Sequence, residues 1–190
     1  MTKLVSLTFP NTICYLPDAN EEFSREFLEM FGVLERVQQG GSYSLADRIP
    51  FADQSVDVVL SSGVLEHVRE HSFTEAALIK EIHRILKPGG YFFVWNLPSR
   101  MGFVELVNSW LGRSVHPWKY TRAQLLELFQ APAWTIKFID QHEIFHLAIR
   151  DAVSNLIGPV KAWQLDYVIS KLPVIRRFAQ HFTLIVRKIG

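Results

Sequence analysis

The stretch SVDVVLSSGVLEHV, residues 55–68, constrains the fold more than any other part of this chain. Val58, Val59 and Leu60 are apolar on both sides of an extended backbone, the pattern of a strand covered on both faces inside a parallel sheet. The strand stops on three small residues, Ser61, Ser62 and Gly63, and Glu66-His67 follows. A parallel neighbour needs a crossover of a dozen or more residues, and the chain supplies one. Ser72-Phe73-Thr74-Glu75 has the form of a capping box. The helix it opens carries Leu78, Ile82, Ile85 and Leu86 at helical spacing. Lys87-Pro88-Gly89-Gly90 closes that helix, and YFFVWN follows as a second buried strand. A right-handed strand–helix–strand crossover is expected.

The rest of the chain extends this unit. KLVSLTF (3–9) and TICYL (12–16) have strand character, with Pro10-Asn11 between them as a turn. Two strands joined so tightly pair antiparallel if they pair at all. NEEFSREFLEMFG is expected to be a helix capped by Asn20 and ended by Gly32. TRAQLLELFQ (121–130) is a helix with Thr121 as its cap. WTIKFIDQHE and HFTLIVRKI are the last strand candidates, and residues 144–180 between them are mostly helical, broken at Gly158-Pro159 and Pro173. The predicted class is α/β: a Rossmann-like open sheet with helices on both faces, mostly parallel, with an antiparallel C-terminal strand. One domain over residues 1–190 with a helical insert at 144–180 is expected, and 190 residues suffice for its core. Sheets of this kind bind ligands beyond their C-terminal strand ends, where Ser61-Ser62-Gly63 lies.

Composition narrows the function classes. The net charge of +1 gives no global field for nucleic acid. The lone cysteine, Cys14, forms no internal disulfide and suits a reducing, cytoplasmic setting. No apolar run reaches the roughly 18 residues of a membrane-spanning helix.

IPFADQSVDVVLSSGVLEHV followed by EIHRILKPGGYFFV resembles the class I S-adenosylmethionine-dependent methyltransferases, in particular the small-molecule group related to ubiquinone-biosynthesis enzymes. The resemblance is close over 46–95 and looser over 116–140. It implies S-adenosylmethionine as cofactor, with Ser61, Ser62 and Gly63 as a floor for the nucleoside or the methionine tail. DANEEF (18–23) resembles the family's acidic motif, so Asp18 is implied to hold the ribose hydroxyls, where two hydrogen bonds to a charged acceptor are strong; a helix-cap role for Asp18 is equally open. The family often has an aspartate at the position of Leu45 that touches the adenine amine, and here the nearest is Asp47. The family's glycine-rich loop has no counterpart. Counting back about 20 residues from Asp18 puts it before residue 1. Either KLVSLTF is a replacement strand forming a hairpin, or the N-terminal strand–helix unit is truncated.

On the acceptor side, His67 and His116 are the candidate catalytic bases, with His142 and His146 also near the expected rim. The 144–180 insert is expected to form a lid. It is aromatic and basic, with Lys161, Lys171, Arg176, Arg177, Arg187 and Lys188 counted against Asp151 and Asp166 from residue 151 onward. Such a segment suits a helical cap packed on the domain or a homo-oligomer face, or else peripheral contact with an anionic membrane. No metal site is expected. The leading function is methyl transfer to a small or lipid-linked acceptor, such as a hydroxyl of a sugar or quinone-like compound. The alternative is a catalytically inactive methyltransferase-like domain acting as a binding or oligomerisation module.

Overall fold

A computed structural model of the chain describes residues 14–17, 37–40, 48–49, 51–71, 74–113, 116, 118–130, 132–145 and 147–190. They fall in two compact units, Met1–Asp47 and Arg48–Gly190.

In the first unit, β1 (Cys14–Pro17) pairs in parallel with β2 (Val37–Gly40), with Cys14 opposite Val37 and Pro17 opposite Gly40. The sequence reading found β1 and missed β2, whose VQQG carries neither alternation nor β-branched density. Residues 3–9, the helix expected from Asn20, and Asp18, Leu45 and Asp47 lie outside the described residues.

The second unit is built on β3 (Val56–Ser62), β4 (Leu86–Pro98), β5 (Trp134–His142) and β6 (His181–Lys188), in the order β3-β4-β6-β5. β3 and β4 are parallel, and β6 runs antiparallel to both β4 and β5. β5 therefore points the same way as β3 and β4. The C-terminal ends of these three strands and the N-terminal end of β6 share one rim. This is the mixed open sheet expected. Within it β3 is an edge strand and not the interior strand its apolar pattern suggested, with Val58 and Leu60 half-exposed. That statement holds for the described residues.

Helix α1 (Glu75–Ile85) supplies the crossover. Its cap is Thr74 alone, in extended conformation, whose hydroxyl accepts from Ala77 N at 3.2 Å. Leu78, Ile79, Ile82 and Ile85 form its buried stripe. Lys87-Pro88-Gly89-Gly90 lies inside β4, correcting the expectation of a separate closing turn. The register jumps from Val56–Leu86 to Val58–Tyr91, so the turn is absorbed as an irregularity of the ladder. Gly89 has φ +78°, and a side chain on Gly90 would come within 2.9 Å of Asp57 O and Lys87 O, so both glycines are required by the backbone.

Phe92 and Val94 point into the core, while Tyr91 and Trp95 face the other way. A second shift, with Asn96 at φ +59°, changes the alternation so that Leu97 is again buried. Phe92 meets Phe129 and Trp134 at ring-centroid distances of 5.9 and 6.3 Å. Lys188, counted above among the basic residues from 151 onward, is buried, and its ammonium donates to His83 O and Leu86 O at 2.8 Å. It thereby satisfies carbonyls at the C-terminal end of α1. Arg187 is likewise engaged, donating to Gly89 O at 3.1 Å.

Helix α2 (Phe103–Trp110) follows β4, and α3 (Arg122–Leu128) precedes β5. Thr121 caps α3 through a full capping box with Gln124, as expected. The insert consists of α4 (Leu147–Ile157), α5 (Pro159–Ser170) and a 3₁₀ turn at Ile175–Phe178. The breaks fall at Gly158 and Pro173, where the sequence placed them.

Candidate functional site

The rim is organised by a few long-range polar contacts. Directly after β3, Gly63 has φ +66°, and the chain enters a 3₁₀ turn, Leu65–His71, with Leu65 and Val68 fully buried. The buried Tyr120 hydroxyl donates towards Leu65 O at 3.0 Å and Glu75 Oε1 at 3.1 Å. Burial, and then the nearby Glu75 carboxylate, push this phenol far above its ordinary value, so it acts as a donor. Arg69 Nε lies 2.9 Å from both Glu75 oxygens and its guanidinium stacks 4.4 Å from the centre of Trp118. These contacts hold Glu66 and His67 at the end of β3.

The same segment brings in His116. Tyr120 forms a bridge with Ser99 at the end of β4, with Tyr120 N donating to Pro98 O at 2.9 Å. α2 buries Glu105, whose Oε1 lies 2.6 Å from His116 Nδ1 and whose Oε2 lies 3.0 Å from Lys119 Nζ. Burial raises the Glu105 carboxyl, but hydrogen bonds from His116 and Lys119 outweigh it and hold it below the usual carboxylate range. An ionised carboxylate only accepts, so Nδ1 of His116 is the donor and Nε2 of the neutral ring carries the lone pair. His67 lies beside it, with ring centroids 6.4 Å apart.

A second pair of the same kind stands further along the rim. His181 Nδ1 lies 2.9 Å from Glu143 Oε2, and Glu143, at φ +68°, also pairs with Arg150 at 2.7 Å. The bond from His181 holds the Glu143 carboxyl below its ordinary value. His142 Nε2 is 2.8 Å from Thr183 Oγ1, and its ring is 5.5 Å from Trp95 and 6.3 Å from His181. Burial, and then His181, lower its basicity.

Glu66 lies in the 3₁₀ turn that follows β3. Its side chain is 2% exposed, and Oε2 has no hydrogen-bond partner among the described residues. It feels the charges of His67, His116 and His181, yet burial dominates and raises its carboxyl above the ordinary value. A raised carboxyl makes the folded state prefer the protonated form, so the associated stability is present below the unfolded value and is lost as pH rises through the folded one. Glu66→Gln is therefore expected to melt higher than the wild type at neutral pH and to match it in acid, as thermal melts across pH would record. A wild-type advantage at neutral pH would contradict this.

Ser61 is buried, with its hydroxyl also unpartnered among the described residues, whereas Ser62 and Gly63 are exposed. Two buried polar atoms without partners at the end of β3 fit a polar ligand seated there. Beside the His116 segment, a cleft of about 780 Å³ is lined by Leu106 of α2 and Trp118, with Arg69, Arg100, Glu75 and Glu127 among its charged groups. No cluster of metal-ligating side chains occurs among the described residues.

Of the sequence candidates, His67 and His116 are brought together, His142 stands at the same rim, and Asp18, Asp47 and His146 lie outside the described residues. The sequence reading missed Glu105, Glu143 and His181 and gave Glu66 no role. Glu105 was signalled only by a carboxylate among the apolar residues of α2, and Glu143 and His181 carried no local signal.

Comparison with known proteins agrees with this picture. Residues 16–94 match a family described as a methyltransferase domain. Over 98 residues the chain is 32% identical to a protein of Mycolicibacterium smegmatis named "Probable S-adenosylmethionine-dependent methyltransferase", covering 52% of this chain and 35% of the relative. Over 67 residues it is 34% identical to malonyl-[acyl-carrier protein] O-methyltransferase of Marinomonas sp., covering 35% of this chain and 23% of the relative. The match thus spans about a third or less of these curated relatives. Among solved structures, the YcgJ protein of Bacillus subtilis superposes with a TM-score of 0.61 at 18% identity, covering 98% of this chain and 87% of that one. Geranyl diphosphate C-methyltransferase of Streptomyces coelicolor, solved with S-adenosyl-L-homocysteine, gives a TM-score of 0.58 at 16% identity, covering 98% and 66%. At these identities the structures speak for the fold.

Proposed function

We propose that the chain is a class I S-adenosylmethionine-dependent methyltransferase domain and that it methylates a hydroxyl of a small or lipid-linked acceptor, with His116 as general base. The observation that carries this reading is the 2.6 Å contact between His116 and the buried, ionised Glu105 at the C-terminal rim. The non-catalytic alternative gives no reason for two imidazoles each oriented by a carboxylate.

When bound, S-adenosylmethionine supplies an electrophilic methyl group on a sulfonium. Ser61, Ser62 and Gly63 would hold it from the end of β3; Asp18 and Asp47, whose parts the family resemblance implies, lie outside the described residues. The protein's own part is to orient and to move a proton. Glu105 fixes the His116 tautomer with the proton on Nδ1, which makes Nε2 the atom that would take the acceptor hydroxyl's proton. Once charged, the imidazolium is stabilised by Glu105 in a partly buried setting. His67 orients the acceptor beside it. Trp118 gives the adjoining cleft a flat apolar wall, and its rim carries both signs of charge, Arg69 and Arg100 beside Glu75 and Glu127, which suits a ring-bearing acceptor with polar substituents. His181 and Glu143 repeat the arrangement and are the reserve candidate for the base.

Calorimetric titration with S-adenosylmethionine tests the cofactor half. Micromolar binding is expected, abolished by Asp18→Ala. No heat at millimolar ligand would replace the enzyme reading by the non-catalytic one.

A further inference from the structure

α5 is inside-out. Its buried residues are Ala162, Asp166 and Ser170, one stripe at four-residue spacing. Asp166 uses that position to accept from Ile144 N and Phe145 N at 2.8 and 2.9 Å. Facing away from the body are Val160 at 67% exposure, Trp163 at 58% and Val168 at 62%. A surface helix of a soluble domain shows the opposite arrangement. The turn into α5 is apolar as well, with Leu156 84% exposed just before Gly158. α2 repeats the inversion, for Glu105 is its one buried residue while Trp110 is 86% exposed. α2 leaves the sheet after β4 and the insert leaves it after β5, so both inverted surfaces rise from the same rim.

Beside the insert lies a small cleft of about 260 Å³ lined by Arg122, Arg176, Arg177, Gln141 and Pro173. Arg176 pairs with Asp140, whereas Arg122 and Arg177 have no ion partner among the described residues. Lys161 flanks the apolar residues of α5, while Lys171 is engaged by Asp140 and packs 4.3 Å from the centre of the Tyr167 ring. Exposed aliphatic and tryptophan side chains with cations at their edge match the interface of an anionic bilayer, where apolar groups enter the acyl boundary and cations meet phosphates. No helix among the described residues is long and apolar enough to cross a membrane, so contact would be interfacial.

We infer that the 147–178 insert is a docking surface for an anionic phospholipid bilayer. Leu156, Val160 and Trp163 enter the headgroup boundary and the arginine cleft takes a lipid phosphate. This rests on the insert's own surface and not on the methyl-transfer reading, so either can fail alone.

Flotation of the full 190-residue chain tests it, with phosphatidylcholine vesicles and with vesicles carrying about one third phosphatidylglycerol. The chain is expected to float with the anionic vesicles, with an affinity about tenfold or more above that for neutral ones. Leu156→Glu and Val160→Glu, both at exposed positions and checked for folding by circular dichroism, are each expected to weaken binding about tenfold. Arg122→Glu and Arg177→Glu are each expected to weaken it about fivefold, on anionic vesicles alone. Millimolar inorganic phosphate is expected to leave the complex intact; release by phosphate would make the cleft a site for the free ion and overturn the inference. Failure to float would overturn it too, as would a dimer in light scattering that Leu156→Glu dissociates without any vesicle binding.

Discussion

His116→Ala is expected to lower methyl-transfer turnover by about 10²–10⁴-fold, the usual contribution of a positioned general base, while calorimetric affinity for S-adenosylmethionine stays unchanged. The reasoning runs through Glu105. This carboxylate is buried in α2 and held ionised by His116 and Lys119. It dictates which ring nitrogen of His116 carries the proton. Glu105→Gln keeps the shape and removes that control, since an amide can donate as well as accept. It should lower kcat by about 10²-fold with little change in KM, a loss confined to the reacting step. S-adenosylhomocysteine release with a saturating hydroxyl acceptor measures both. If His116→Ala turns over normally and His181→Ala does not, the base is the second pair and the assignment within the rim is wrong.

The second large effect concerns the sheet that carries the rim. Phe92→Ala is expected to destabilise the fold by about 3–5 kcal/mol. The side chain is fully buried on β4 and packs between Phe129 and Trp134, which themselves meet edge-on at 5.8 Å. Removing it leaves a cavity bounded by two rigid rings that cannot collapse into it, which places the cost at the upper end. Denaturant titration should show a lower midpoint with an unchanged slope, and thermal melts a fall of roughly 10 °C. Tyr91→Ala, on the opposite and more exposed face of the same strand, should cost much less. Equal losses at the two positions would mean that both faces of β4 are covered, contrary to the burial described here.

Much of the second unit was legible because its signals are local. The apolar run of β3, the stripe Leu78, Ile82 and Ile85, the Thr121 capping box and the breaks at Gly158 and Pro173 are each written within a dozen residues. β2 was illegible because VQQG has no such pattern. Charge read along a chain does not say which cations find partners. Lys188 is buried against the carbonyls of α1, and Lys171 and Arg176 both engage Asp140.

The sequence by itself determined the strand–helix–strand unit, the antiparallel strand pair at the C-terminal end and the residue types available at the rim, because periodicity and turn chemistry act between near neighbours. Only the tertiary structure decided which imidazole met which carboxylate. Glu105 and His116 stand 11 positions apart and Glu143 and His181 stand 38 apart, and no local preference encodes such pairings. They arise when the sheet brings the strand ends to one rim, where each carboxylate accepts from the nearest imidazole N–H.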